Sequence, residues 1–112
     1  MRTSLLLAGT LLLVLLLAPG AGAGGQRERR SAGHQIEIEN FAFHPRTLRV
    51  RRGARVAFVN RDSLTHTATR AGSFDTGRIR PGRSATVRFR RRGVYTFHCR
   101  IHPFMHGKVV VR

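Results

Sequence analysis

The chain has one cysteine and one tyrosine, a single lysine (Lys108), and only five acidic residues among its 112. Each scarcity closes off a class of protein. One thiol cannot form an internal disulfide, a Cys-x-x-Cys-His haem attachment or a binuclear copper centre, all of which need two. There is no His-x-His pair, so the trinuclear cluster of a multicopper oxidase is excluded. Beyond residue 23 no segment carries a convincing helical period, and no internal repeat is present. The shortage of carboxylates against 21 Lys+Arg leaves a formal charge of +16. Such a surface attracts acidic proteins, anionic polymers or anionic membranes and speeds encounters with them.

The first residues read as an address. Arg2 gives a short positive start, Leu5 to Leu17 is a leucine-rich run too short to span a bilayer comfortably, and Ala21-Gly22-Ala23 is an A-x-A cleavage pattern. Residues 1–23 are therefore expected to be a signal peptide cut before Gly24; the alternative is an uncleaved anchor. No cysteine lies near the cut, which excludes a lipid-anchored protein. The mature chain is expected outside the cytoplasm, in the periplasm or at the cell surface, with no stable membrane span. Export argues against nucleic acid as the partner of the basic surface. Residues 24–33, rich in Gly, Arg and Ser, read as a disordered lead-in, and residues 34–112 as one small domain.

Within that domain, short alternating runs recur between turn signals. Ile36 to Phe43 reads as a strand, then Thr47 to Arg51, Arg55 to Asn60, His66 to Thr69, Ser84 to Arg90, a run through Tyr95, Phe97 and Cys99, and Val109 to Val111. Pro45, Arg52-Gly53, Pro81-Gly82 and Arg92-Gly93 punctuate them. This spacing predicts an all-β, antiparallel sandwich.

The chemistry gathers near the carboxyl end, in Tyr95-Thr96-Phe97-His98-Cys99-Arg100-Ile101-His102-Pro103-Phe104-Met105-His106-Gly107. A thiolate, an imidazole three residues on and a thioether three further are soft ligands of the kind copper prefers. A lone exported thiol is prone to oxidation unless buried or bound, which favours a ligand role for Cys99. Two imidazoles and a thiolate in a near-trigonal plane with a weak axial thioether make a mononuclear copper centre. His66, among small polar residues after a strand ending at Asn60, is the best candidate for the missing imidazole. The expected set is His66, Cys99, His102 and Met105 around one copper ion. Zinc is the rival, but structural zinc sites use more thiolates or histidines and rarely methionine.

These residues resemble the cupredoxins, small blue copper proteins, and most closely their amicyanin branch. The resemblance runs through Tyr95-x-Phe97-x-Cys99-x2-His102-Pro103-Phe104-Met105-x-Gly107-Lys108 and the short Cys-x2-His-x2-Met spacing. Plastocyanin-type and azurin-type loops are longer. Upstream, Val56-x-Phe58-x-Asn60-Arg61-Asp62-x3-His66 and Phe74-Asp75-x-Gly77-x3-Pro81-Gly82 fit as well. The resemblance implies a Greek-key sandwich, an Asn60 side chain bracing the two ligand loops, a surface-reaching His102 as the electron exit, and an axial Met105 that tunes the potential. It also implies an apolar docking patch from Leu64, Pro103 and Phe104; Pro103 has no N–H to donate to the sulfur. Thr67 stands where family members often have asparagine, and His106 is an additional histidine beside the ligands.

The expected function is transfer of single electrons by an exported monomer, with redox proteins as partners: a dehydrogenase, a c-type cytochrome or an oxidase. The alternative is a copper carrier or buffer supplying an exported cuproenzyme. Enzymatic activity is not expected: His102 shares a tight loop with Cys99 and is poorly placed as its general base.

Overall fold

The computed structural model describes residues 34–112; the expected signal peptide and lead-in lie outside the described residues. Nine strands form among the described residues: β1 Gln35–Glu39, β2 Ala42–His44, β3 Thr47–Val50, β4 Ala54–Asn60, β5 Thr69–Arg70, β6 Phe74–Asp75, β7 Ser84–Phe89, β8 Gly93–His98 and β9 His106–Val111. They build two sheets, ordered β2-β1-β4-β7 and β3-β9-β8-β5-β6. The all-β sandwich expected from the alternation is what forms. Most pairs are antiparallel, but β1 runs parallel to β4 and β3 parallel to β9, so both sheets are mixed. The chain leaves the first sheet after β2, crosses to the second as β3, and returns as β4. Parallel neighbours need such a crossover, and here the opposite sheet supplies it.

One expected strand is in fact two. Ile36 to Phe43 folds back at Asn40-Phe41, with Glu39 opposite Ala42. Asn40 and Phe41 both adopt positive φ, 53° and 56°, the twist that suits a two-residue hairpin. Asparagine tolerates this region; phenylalanine seldom does. The side chain of Asp62 holds the turn, accepting hydrogen bonds from the N–H groups of Asn40 at 2.8 Å and Phe41 at 3.0 Å. The expected strand at His66 to Thr69 is also shorter: His66 makes an isolated bridge with Ile79, and regular pairing begins at Thr69.

The period-2 pattern sets the core. Ile36, Ile38, Phe43, Val56, Phe58 and Phe89 of one sheet meet Val50, Phe97, Val109 and Val111 of the other, all buried. Phe97 lies at the centre, edge-on to Phe43 at 4.8 Å and to Phe58 at 5.4 Å between ring centroids. Its partner across the β8–β9 ladder is Gly107. A Cβ added at Gly107 would lie 2.4 Å from Phe97 Cζ, so the ring can occupy the centre only because that position has no side chain. This packing closes directly beneath the loop between β8 and β9, which carries Cys99, His102 and Met105.

Gly107→Ala is therefore expected to lower unfolding free energy by about 1–3 kcal/mol through overpacking, measured by chemical denaturation. An unchanged midpoint would contradict the packing described.

Candidate metal centre

Cys99 follows directly on the last residue of β8, Met105 directly precedes β9, and the loop between them is drawn tight. Cys99 N–H donates to Met105 O at 3.1 Å, and Met105 N–H to His102 O at 2.9 Å. His66 reaches the same point from the other ligand loop. Its backbone exchanges both hydrogen bonds with Ile79, at 3.1 and 2.7 Å. The three donor atoms form a closed triangle: His66 Nδ1 to His102 Nδ1 is 3.1 Å, Cys99 Sγ to His66 Nδ1 3.7 Å, and Cys99 Sγ to His102 Nδ1 3.8 Å. A point equidistant from all three lies roughly 2 Å from each, about the length of a metal–imidazole bond. Two ring nitrogens and a sulfur turned toward one another in a buried space are an arrangement that a shared cation resolves. Met105, at the base of the loop, is buried, as are His66 and Cys99; His102 alone of the four is partly open to solvent.

Asp62 sets the orientation of His66. The His66 Nε2–H donates to Asp62 Oδ2 at 2.8 Å; with the proton on Nε2, Nδ1 is left as a lone pair facing Cys99. Carboxylate–imidazole contacts of this kind fix the tautomer and ring plane of metal-bound histidines. Asp62 is partly buried, which works against its charge. The N–H groups of Phe41 and Asn40 and the ring of His66 outweigh this and hold its carboxyl below the usual carboxylate value. Sequence reasoning noted Asp62 only as a match in a motif. Its position four residues before His66, in a loop, gives no periodic signal.

Asn60 is fully buried. Its amide donates to Leu64 O at 2.7 Å and Ile79 O at 2.8 Å, and its carbonyl oxygen accepts from Asp62 N–H at 2.8 Å. These bonds fix the loop that delivers His66 and tie it to Ile79. They do not reach the Cys99 loop, so the expected bracing between the two ligand loops is not made by Asn60. Thr67 makes it. Its N–H donates to Cys99 Sγ at 3.3 Å and its Oγ1 accepts from Arg100 N–H at 2.9 Å. The Thr67 hydroxyl then donates to Thr69 Oγ1 at 3.0 Å, and Thr69 to Asp75 Oδ1 at 3.0 Å. Arg100 Nε closes the ring on Asp75 Oδ2 at 3.1 Å. Threonine thus performs the bracing at the position where the amicyanin pattern often has asparagine.

Leu64, Pro103 and Phe104 are exposed at this end, with Phe104 67% accessible. The sequence reading missed Phe41. Its ring stands edge-on to His102 at 5.1 Å and to His66 at 5.7 Å, and lies 6.1 Å from Phe104. His106 is the ladder partner of His98, their rings 6.4 Å apart, and the donor cluster is made by His66, Cys99 and His102.

A β-sandwich with two imidazoles, a thiolate and a buried thioether at one end defines a mononuclear copper protein. A cupredoxin-like domain model matches residues 6–111. Amicyanin-alpha of Methylorubrum extorquens is 30% identical over 105 residues, covering 85% of this chain and 84% of the relative. Amicyanin of Paracoccus denitrificans is 27% identical over 82 residues, covering 68% and 63%. An oxidized amicyanin variant superposes with TM-score 0.70 at 26% identity, over 74% of this chain and 84% of that one. A reduced, Cu(I) form of another variant at pH 4 gives 0.67 at 28%, over 70% and 81%. The chain belongs to the cupredoxin-like family and is similar to amicyanin, with a site for a single copper ion. Amicyanin-like cupredoxins are electron-transfer proteins and not enzymes.

Two outcomes test the polar framework. Asp62→Asn is expected to weaken copper binding about 10–100-fold in competition with a chelator; unchanged affinity would contradict the orienting role. Asp75 bears on stability. Burial works against its charge but is outweighed by the Gly77 N–H, the Thr69 hydroxyl and Arg100, so its folded-state carboxyl titrates below the ordinary 3.8. Its stabilisation is complete above that value and is lost as pH falls through the lower folded-state one. Asp75→Asn should therefore destabilise the protein at neutral pH, with the gap to wild type closing as pH falls below the ordinary carboxylate value and through the lower folded-state one. A gap independent of pH in denaturation curves would contradict this.

Proposed function

We propose that the protein is an exported carrier of single electrons, with one copper ion held by His66, Cys99, His102 and Met105. The observation that carries this reading is the closed triangle of His66 Nδ1, Cys99 Sγ and His102 Nδ1, with separations of 3.1–3.8 Å. Bound there, copper supplies the one-electron change between Cu(I) and Cu(II). The chain's own residues do the rest. Thr67 N–H places the sulfur, Asp62 fixes the His66 ring, and Asn60 holds the loop that carries both Asp62 and His66. The groups are set before the electron arrives, so little rearranges when it leaves. His102 carries the electron out, because its ring is the ligand that reaches the surface. Phe41 and Phe104 flank that ring and cover part of it, leaving the rest open. With Leu64 and Pro103 they form an apolar face on which a dehydrogenase, a c-type cytochrome or an oxidase docks. Residues 1–23 serve as the export signal and residues 24–33 as a lead-in to the domain, so the carrier works as a monomer in the periplasm or at the cell surface.

A second reading, delivery of copper to an exported cuproenzyme, is favoured by the same exposure of His102, since an accessible ligand is where metal would be exchanged. The two separate in one experiment. An electron carrier keeps its copper while it oxidises or reduces a cytochrome; a copper carrier gives its metal to an apo-acceptor.

Adding Cu(II) to the purified protein is expected to give the intense visible band of a thiolate–Cu(II) centre, and Cys99→Ser to abolish it. A copper-loaded protein without the band, or a serine variant that keeps it, would contradict the reading.

A further inference from the structure

The strands give the sandwich two unlike ends. β4 ends at Asn60, β8 leads into Cys99, and β9 begins next to Met105, so all three have one end at the donor triangle. Their other ends lie roughly 20 Å away at the rise of a six- or seven-residue strand, and the end of β3 meets the end of β9 there. There Arg49, Arg51, Arg52, Arg92 and Arg112, with His34, line an open recess of about 730 Å³. Among the described residues none of these five guanidinium groups has a carboxylate partner. The side-chain carboxylates are all elsewhere. Asp62 bonds His66 and Asp75 bonds Arg100. Glu37 bonds Arg61, and Glu39 immediately precedes the Asn40-Phe41 turn held by Asp62. Each of the four side-chain carboxylates in residues 34–112 thus belongs to the half that holds the donor triangle. At physiological salt, where charges are screened over about 8 Å, they do not neutralise the far end.

We infer that this arginine end docks on an anionic lipid surface. Three observations favour a membrane over a soluble partner. The arginines come from three separate stretches of chain and surround a broad open recess, which suits many weak phosphate contacts spread over a plane. The described domain joins its preceding residues at His34, which lines this recess, and the sequence just before it is itself basic, with Arg27, Arg29 and Arg30 against a single glutamate, Glu28. A redox partner must approach His102, which leaves the opposite end free for a surface that holds the domain without covering its exposed ligand. Clusters of basic residues close to a bilayer are drawn to its negative potential. The orientation this gives, donor triangle outward, and the third observation rest on the copper reading; the charge that drives lipid binding does not.

The test is co-sedimentation of the copper-loaded protein with vesicles of phosphatidylcholine containing about 30 mol% phosphatidylglycerol, at about 0.15 M salt. Arg49, Arg51, Arg92 and Arg112 are changed together to Gln in one variant. Arg46, Arg78, Arg80 and Arg83, from the half that holds the triangle, are changed together to Gln in a control of equal charge. The end variant should bind roughly tenfold or more weakly, with the control close to wild type. Equal losses in the two variants would reduce the effect to net charge and overturn the inference. So would equal binding to vesicles of phosphatidylcholine alone, which would assign association to apolar contact and not to charge. Release of protein by millimolar inorganic phosphate would assign the recess to a small anion. Unchanged vesicle binding by the end variant, with loss of its binding to polyglutamate, would assign it to an acidic protein. The visible band reports folding and copper in every sample, so a failure of the copper reading shows up separately.

Discussion

Thr67 joins the two halves of the site. Its N–H is bonded to the sulfur of Cys99 and its hydroxyl oxygen to the N–H of Arg100, the next residue on the other ligand loop. The loop carrying His66 and the loop carrying Cys99, His102 and Met105 come from distant parts of the chain, and these bonds set their separation. Hydrogen bonds to a charged acceptor are stronger than neutral ones, so a thiolate at Cys99 gains from the Thr67 N–H. A buried thiolate is otherwise costly. With this spacing fixed, Asp62 has only to turn the His66 ring for the donor triangle to close.

The rest of the molecule divides by rigidity and by charge. Beneath the site, Phe97 packs against both sheets and into the gap at Gly107. This anchors β8 and β9, whose ends hold Cys99 and Met105. Above it, the Asn40-Phe41 turn places an aromatic edge on His102, and Asp62 holds that turn with the same carboxylate that orients His66. One side chain therefore couples the orientation of a buried ligand to the shape of the exposed face around another. The arginine-lined end lies at the opposite extreme of the strands and shares none of these contacts.

Much of this was legible in the sequence, for physical reasons. Val56, Phe58, Val109 and Val111 alternate because one face of each strand is buried, and that period fixes the strand and its inward side. Cys99, His102 and Met105 are legible because soft donors at short spacing are chemically distinctive, and the structure brings His66 to them as expected. The hairpin at Asn40-Phe41 was missed because the run stays apolar through it and no glycine marks the turn. The signal present was a change of parity, from Ile36 and Ile38 to Phe43. The bracing expected of Asn60 falls to Thr67 for a different reason. Which loop a small polar side chain reaches depends on tertiary placement, which neither residue type nor spacing encodes. Phe41 was hidden for the same reason: its place beside His102 follows from a positive φ held by a residue 21 positions away.

The central claim is that the protein holds the three donor atoms in place before any metal binds. Crystal structures of the metal-free and the copper-loaded protein test it most directly. The account predicts that His66 Nδ1, Cys99 Sγ and His102 Nδ1 differ by less than about 0.5 Å between the two, with the Thr67 N–H to sulfur bond present in both. A metal-free structure in which the His66 ring leaves Asp62, or in which the Cys99 loop parts from Thr67, would contradict it.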